Sequence, residues 1–307
     1  MNNYPAQTFG GPPTTPRSNV CTWCGTVNDG TPLSCPACGA TLNVAANRTQ
    51  SGWTALPGRK DMAKLQIGHS SCQIEGMYVP VADMALAAED SVYFAHHVLL
   101  WKDAQVTITN MSMKGAWKRA LAGMPVIMTQ AQGPGHIAFS RDAPGEMVAL
   151  PIQPGQSVDA REHMLVVATS NVAYDFFWTN VWFNTQSGDE TETHYPLGQS
   201  MDRFIAKTTP GLVILHAAGN VFVRNLAPRQ SILIKPTALL FKDSTVNMNL
   251  HIEMPNSPRS FFGGWNHRYL WLQVTGPGRV AVQSAFEPIE DDGNTITSTS
   301  AATQHRW

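Results

Sequence analysis

Three segments of this chain align without gaps over sixteen residues: SVYFAHHVLLWKDAQV (Ser91 to Val106), SVDAREHMLVVATSNV (Ser157 to Val172) and SILIKPTALLFKDSTV (Ser231 to Val246). Each opens on Ser and a β-branched residue, carries an apolar triplet at the same offset, and closes on valine after a polar turn. The triplets are Val98-Leu99-Leu100, Met164-Leu165-Val166 and Ala238-Leu239-Leu240. Five residues before each Ser lies an apolar position: Leu86, Ile152 and Leu226. A second element also recurs three times, around Pro134-Gly135, Pro210-Gly211 and Pro277-Gly278, each a turn between two β-rich runs. The first element repeats after 66 and then 74 residues. A period near seventy in three copies means three supersecondary units, expected here to share one core.

Apolar positions alternate, or come in runs of about four to six bounded by Gly, Pro or Asn, as buried and half-buried strands do. The helical alternative is poor; only Met111 to Leu121 offers a short helix. The reading is an all-β body built as a three-unit prism or barrel-like sandwich.

Near the N-terminus Cys21, Cys24, Cys35 and Cys38 fall as C-x2-C-x10-C-x2-C, with Gly25 and Gly39 directly after each pair. Two intervening residues let one turn present both sulfurs, and the glycine takes the backbone past the metal without a Cβ clash. Two disulfides need an oxidising compartment, and no charged-then-apolar leader precedes the cysteines. The set therefore predicts one structural Zn2+ in a closed four-thiolate site with no open position for substrate. Cys72 stands alone and reads as a buried or inert thiol.

The expected organisation is a disordered Pro- and Gly-rich stretch at 1–18, a zinc ribbon at 19–42 and a polar linker at 43–64. The β body follows at 65–287, then a disordered tail at 288–307. Hydrophobic residues make up 43% of the 307 and charged residues only 14%, below the roughly one quarter of an average domain. Low charge with nine tryptophans and thirteen methionines points to surfaces covered by other subunits. The net charge of −1 gives no basic excess for a phosphate backbone, and the ribbon contains no Lys or Arg. No apolar run is long enough to span a bilayer. A cytoplasmic homo-oligomer is expected.

No catalytic constellation emerges. His96 and His97 are adjacent, so on a strand their side chains point to opposite faces and cannot chelate together. His136, His163, His216 and His251 stand alone on apolar strands, and Gly-Pro-Gly leads into strands rather than helices, unlike a phosphate cradle. After the first repeated element each unit makes an aromatic excursion. These carry Trp117 with Lys118 and Arg119; then Phe176, Phe177, Trp178, Trp182 and Phe183; then Phe261, Phe262 and Trp265 with Arg268. Under threefold pseudo-symmetry they share one end of the prism, as a protein interface, a membrane-surface contact or a plug for the open end.

The motifs Trp117-Lys-Arg-Ala-Leu-Ala-Gly123, Leu150-Pro-Ile-Gln-Pro-Gly-Gln-Ser157, Phe261-Phe-Gly-Gly264 and Leu272-Gln-Val-Thr-Gly-Pro-Gly-Arg-Val280 carry a resemblance. Over about residues 65 to 287 the chain resembles the mitochondrial-biogenesis family named for altered inheritance of mitochondria, protein 24. The resemblance implies a pseudo-threefold fold like the double-stranded β-helix of the tryptophan RNA-binding attenuation protein. The middle unit departs from the pattern at FFWTNVWFNTQSGDETETH. The cysteine module resembles small zinc ribbons appended to many bacterial proteins. Together these readings predict a non-enzymatic scaffold that contacts protein, itself included. A nucleic-acid-binding module and a small-molecule-binding β-helix protein are the alternatives.

Overall fold

The computed structural model describes residues 19–21, 26–29, 32, 34–37, 42, 48–56, 62–111, 128–253, 269–289, 295–300 and 302–305. Ahead of the repeats lie β1 (Asn19–Val20), β2 (Val27–Asn28), β3 (Thr54–Ala55), β4 (Ala63–Ile67) and β5 (Ser70–Glu75). The first unit comprises β6 (Val81–Leu86), β7 (Ser91–Ala95), β8 (Leu99–Lys102), β9 (Thr107–Asn110), β10 (Met128–Gln132) and β11 (Gly135–Ser140). The second opens with β12 (Glu146–Ile152), β13 (Ser157–Arg161), β14 (Leu165–Thr169) and β15 (Val172–Trp178). A hairpin, β16 (Phe183–Ser187) and β17 (Glu190–His194), precedes β18 (Ser200–Ala206) and β19 (Gly211–Ala217). The third holds β20 (Val221–Leu226), β21 (Ser231–Ile234), β22 (Leu239–Asp243), β23 (Asn247–Glu253), β24 (Tyr269–Thr275) and β25 (Gly278–Gln283). β26 (Thr295–Thr299) and β27 (Ala302–His305) follow. The described residues contain no α-helix. Met111 is the only described residue of the short helix expected at 111–121.

The three units repeat one pairing scheme. The last strand of each, β11, β19 or β25, runs antiparallel between the first and third strands of its own unit. The penultimate strand, β10, β18 or β24, runs between the second and fourth. Neighbouring units then share a sheet: β7 pairs with β14, and β13 with β22. The result is a six-stranded sheet in order β12-β19-β14-β7-β10-β9 and a seven-stranded one in order β15-β18-β13-β22-β25-β20-β3. Five strands (β4-β5-β6-β11-β8) and four (β21-β24-β23-β27) form the outer sheets.

The single core expected from the repeats is replaced by three apolar clusters, one inside each unit. Each unit is a small sandwich whose two faces belong to different sheets, and a neighbouring unit helps close its interior: Val167, Leu212 and Ile214 of the second unit lie in the first cluster. The six-stranded sheet is covered on both sides: Phe94 and Ile214 face the first cluster, Tyr93 and Val213 the second. Its strands β14 and β19 accordingly read as unbroken apolar runs rather than alternations, as in Leu165–Thr169.

The two recurring sequence elements meet in space. The closing valines Val106, Val172 and Val246 are buried against Gly135, Gly211 and Gly278. A Cβ added at those glycines would lie 2.8, 2.2 and 2.9 Å from the valine Cγ2. Beside each contact one side chain clamps the turn. Asp103 Oδ2 accepts the His136 N–H at 2.8 Å, Thr169 Oγ1 the Leu212 N–H at 3.0 Å, and Asp243 Oδ2 the Arg279 N–H at 2.7 Å. The polar turn and the Pro-Gly turn are thus two halves of one joint.

Two boundaries differ from the sequence reading. Within the expected linker, Thr54–Ala55 pairs with β20, the Leu56 N–H donates to the Val221 carbonyl, and Trp53 and Leu56 pack on the cores. Trp53 and Leu56 are the apolar residues that a polar-looking average concealed. In the expected tail, β26 pairs with β16 and β27 runs parallel to β23, each at the edge of its sheet.

Gly211→Ala should cost about 1–3 kcal/mol through overpacking on Val172. Combining it with Val172→Ala should lose less than the two single losses summed, as residues in direct contact do. Urea denaturation of the three variants checks this; strict additivity would mean that the joint does not carry the strain.

Candidate functional site

Threefold repetition offers three seams at which the second strand of one unit meets the third strand of the next. At the first, Ala168 lies opposite Tyr93, and at the second Lys242 lies opposite Asp159. The same offsets would place Lys102 opposite Leu233 at the third. That seam is not formed: β8 and β21 are the outer strands of separate sheets. Among the described residues the closed barrel that the repeats suggest is therefore absent, and β8 and β21 remain as edges.

The chemistry at these matched positions differs by seam. The first is apolar, apart from the Tyr93 hydroxyl, whose pKa burial and then Asp202 push well above its usual value. The second holds a buried ion triad. Asp159 has no exposed surface and accepts from Arg203 Nε at 2.6 Å, Arg203 Nη2 at 2.9 Å and Lys242 Nζ at 2.7 Å. Asp175 lies across the strands on the far side of Arg203, so charges alternate along four strands. The hydrogen bonds that Asp159 accepts from Arg203, with the carboxylate's charge, raise the Arg203 pKa against the opposing effect of burial. The third position pairs a cation with leucine. Burying the Lys102 ammonium opposite Leu233 would cost several kcal/mol of uncompensated desolvation. Lys102 instead stays exposed and donates to the carbonyls of Asp103 and Val106 at 3.2 and 3.1 Å.

Both edges at this open seam expose apolar side chains: Leu100 at 52%, Trp101 at 46% and Leu233 at 40%. Tyr269 and Trp271 stack with centroids 6.1 Å apart on the four-stranded sheet, and Lys235 Nζ lies 4.6 Å from the Trp271 ring. An edge strand presents unpaired N–H and C=O groups, the template for pairing with another strand.

Of the residues expected at the aromatic end, Trp117, Lys118, Arg119, Phe261, Phe262 and Trp265 lie outside the described residues. Phe176, Phe177 and Trp178 end β15, and the strand's alternation divides them. Phe177 packs on the third core, its ring 4.4 Å from the Arg203 guanidinium carbon, whereas Phe176 and Trp178 stack edge to face and Trp178 is 47% exposed. Val181, Phe183 and Leu197 fold inward. Of the cysteines, Cys21 and Cys35 are buried in the cluster of the first unit, and Cys24 and Cys38 lie outside the described residues. Cys72 is buried in the same cluster. His96 and His97 occupy a 3-10 turn, His96–Val98, not a strand, and their rings sit 5.6 Å apart.

A cleft of about 410 Å³ opens between the first two units, lined by Ser70, Asp90, Thr169 and Asn171 among others. These groups already hold turns: Asp90 accepts from the His69 N–H and Ser70 Oγ, and Asn171 donates to the Pro210 carbonyl.

The chain is thus an all-β protein of three sheet-sharing units with one seam unmade. It belongs to the mitochondrial biogenesis AIM24 family, whose model matches residues 72–285. The crystal structure of protein SPYM3_0169 from Streptococcus pyogenes is similar to this chain at 15% identity and a TM-score of 0.49, covering 71% of this chain and 94% of its own. No curated protein matches. No helix among the described residues is long and apolar enough to cross a membrane.

Asp159→Asn should destabilise the protein by about 3–5 kcal/mol, because Lys242 is left buried without its anion. Asp159→Leu with Lys242→Met should cost much less, since it removes both buried charges. Chemical denaturation of the two variants checks the order; a mild effect of Asp159→Asn would remove the triad from the account of the second seam.

Proposed function

We propose that this protein is a non-enzymatic, self-associating scaffold whose open edges, β8 and β21, take strands from a second copy. The observation that carries this reading is the pair of unmatched edges at a position where the other two seams are made, with Leu100, Trp101 and Leu233 exposed along them. An aromatic and leucine side chain moved out of water contribute about 1.5–3 kcal/mol each, and ladder bonds supply direction. Low overall charge and the commitment of the cleft's polar groups to turns favour this reading over catalysis. Three units of this kind form a pseudo-threefold prism when the last seam is also occupied. The scaffold works in the cytoplasm.

The cysteine module serves as a second contact, held by structural Zn2+ at Cys21, Cys24, Cys35 and Cys38. The fit is supported by the hairpin β1–β2, in which the Cys21 N–H donates to the Thr26 carbonyl at 2.8 Å. That hydrogen bond joins the two residues that flank 22–25 in sequence. The zinc would fix the two turns and does no chemistry, since four thiolates fill its coordination. Cys35→Ser should abolish metal binding, and wild-type protein purified under reducing conditions should carry one zinc per chain by elemental analysis. Metal-free folded wild type would overturn the site.

Trp101→Lys with Leu233→Lys should convert an oligomer into a monomer in sedimentation velocity while leaving the melting temperature nearly unchanged. A wild type that is monomeric at high micromolar concentration would refute self-association through these edges.

A further inference from the structure

The strand ends opposite the Pro-Gly turns gather cations from two units. Arg141 follows β11, which runs beside β8 with Phe139 opposite Leu99, so continuing that register brings Arg141 to His97. The β7–β14 ladder carries His96 and His97 alongside the turn that holds His163. His216 donates its backbone N–H to the Met164 carbonyl at 2.9 Å, and its Nε2 lies 3.0 Å from the Ala143 carbonyl, two residues beyond Arg141. Arg161 ends β13 and donates through Nη1 to the Thr237 carbonyl at 2.6 Å.

Arg141 is half-buried, and its Nη1 is enclosed with no hydrogen-bond acceptor. A guanidinium N–H shut away from water and protein acceptors costs about 1–3 kcal/mol or more, and such an atom calls for an ion or a water. No ion pair among the described residues engages Arg141, Arg161, His97, His163 or His216. Glu162, next to Arg161, and Glu287, which faces it from the C-terminal side, are the carboxylates nearby. Burial first, and then Arg161, lower the Arg141 pKa; burial first, and then Arg141, lower that of His97. Glu287 offsets part of this at Arg161, whereas Arg141 and His97 feel mainly neighbouring cations.

We propose that this pole is a binding site for a phosphate group, with Arg141 and Arg161 as its floor and His97 and His163 on its rim. The planar guanidinium fork matches two oxygens of a tetrahedral oxyanion, and rim imidazole N–H groups suit the remaining ones. The same chemistry serves a free phosphate compound or the headgroup of an anionic lipid. The site is separate from the open seam and does not depend on self-association.

Isothermal titration of the full-length protein with inorganic phosphate, at constant ionic strength with chloride as control, tests the site. Flotation with vesicles of phosphatidic acid in phosphatidylcholine, against phosphatidylcholine alone, distinguishes the lipid source. Saturable binding in either arm is expected, weakened at least about tenfold by Arg141→Met and partly restored by Arg141→Lys. Should Arg141→Met fail to fold, His97→Gln on the exposed rim should still weaken binding with an unchanged melting temperature. Absence of binding in both arms would overturn the proposal. So would binding that survives both Arg141→Met and His97→Gln.

Discussion

The ladders β7–β14 and β13–β22 hold this molecule together, because each joins the inner layer of one sandwich to the inner layer of the next. A unit cannot close its interior with one sheet, and neither of its sheets is complete without a neighbour. The first core, for example, combines Leu65, Met84 and Phe139 from one sheet with Val167 and Ile214 from another. Stability is therefore cooperative across seams, as in repeat proteins where interface terms support units that are marginal alone. Whatever sits at a seam decides whether the repeat propagates. Tyr93 with Ala168 and Asp159 with Lys242 are two solutions, one apolar and one ionic. Leu233 with Lys102 is neither.

The ionic solution has a directional consequence. A fully buried Asp159 bridging Arg203 and Lys242 is stable only when all three are in register. A slip of one residue turns every side chain to the opposite face, which would leave the charges unpaired in apolar surroundings. The second seam is thereby locked to one register, whereas the first relies on shape. A buried ion triad of this kind is weak evidence of stability in itself.

Much of this was legible in the sequence. The Ser-to-Val segments marked the second strand, third strand and following turn of each unit, and the Pro-Gly turns marked the corner between the last two strands, which lie in different sheets. The all-β class followed from short apolar runs. What remained hidden depends on long-range placement. Nothing local announces that Val172 abuts Gly211, or that Asp159, Arg203 and Lys242 converge from three strands. Aligning the repeats does put Asp159, Tyr93 and Leu233 in one column, so the odd residue was visible, but not its partners. The single shared core was misjudged because apolar runs report burial on both faces without saying which core each face serves. The Thr54–Ala55 strand escaped notice because two residues carry no periodicity.

Hydrogen exchange as a function of protein concentration measures the third seam directly. Amides of Leu99–Lys102 and Ser231–Ile234 are expected to exchange quickly in dilute protein and to gain protection as concentration rises. Those of Leu165–Thr169 and Leu239–Asp243 should stay protected throughout. Strong protection of β8 and β21 at every concentration would show instead that the chain closes its own ring, and would contradict an open seam built to receive a second copy.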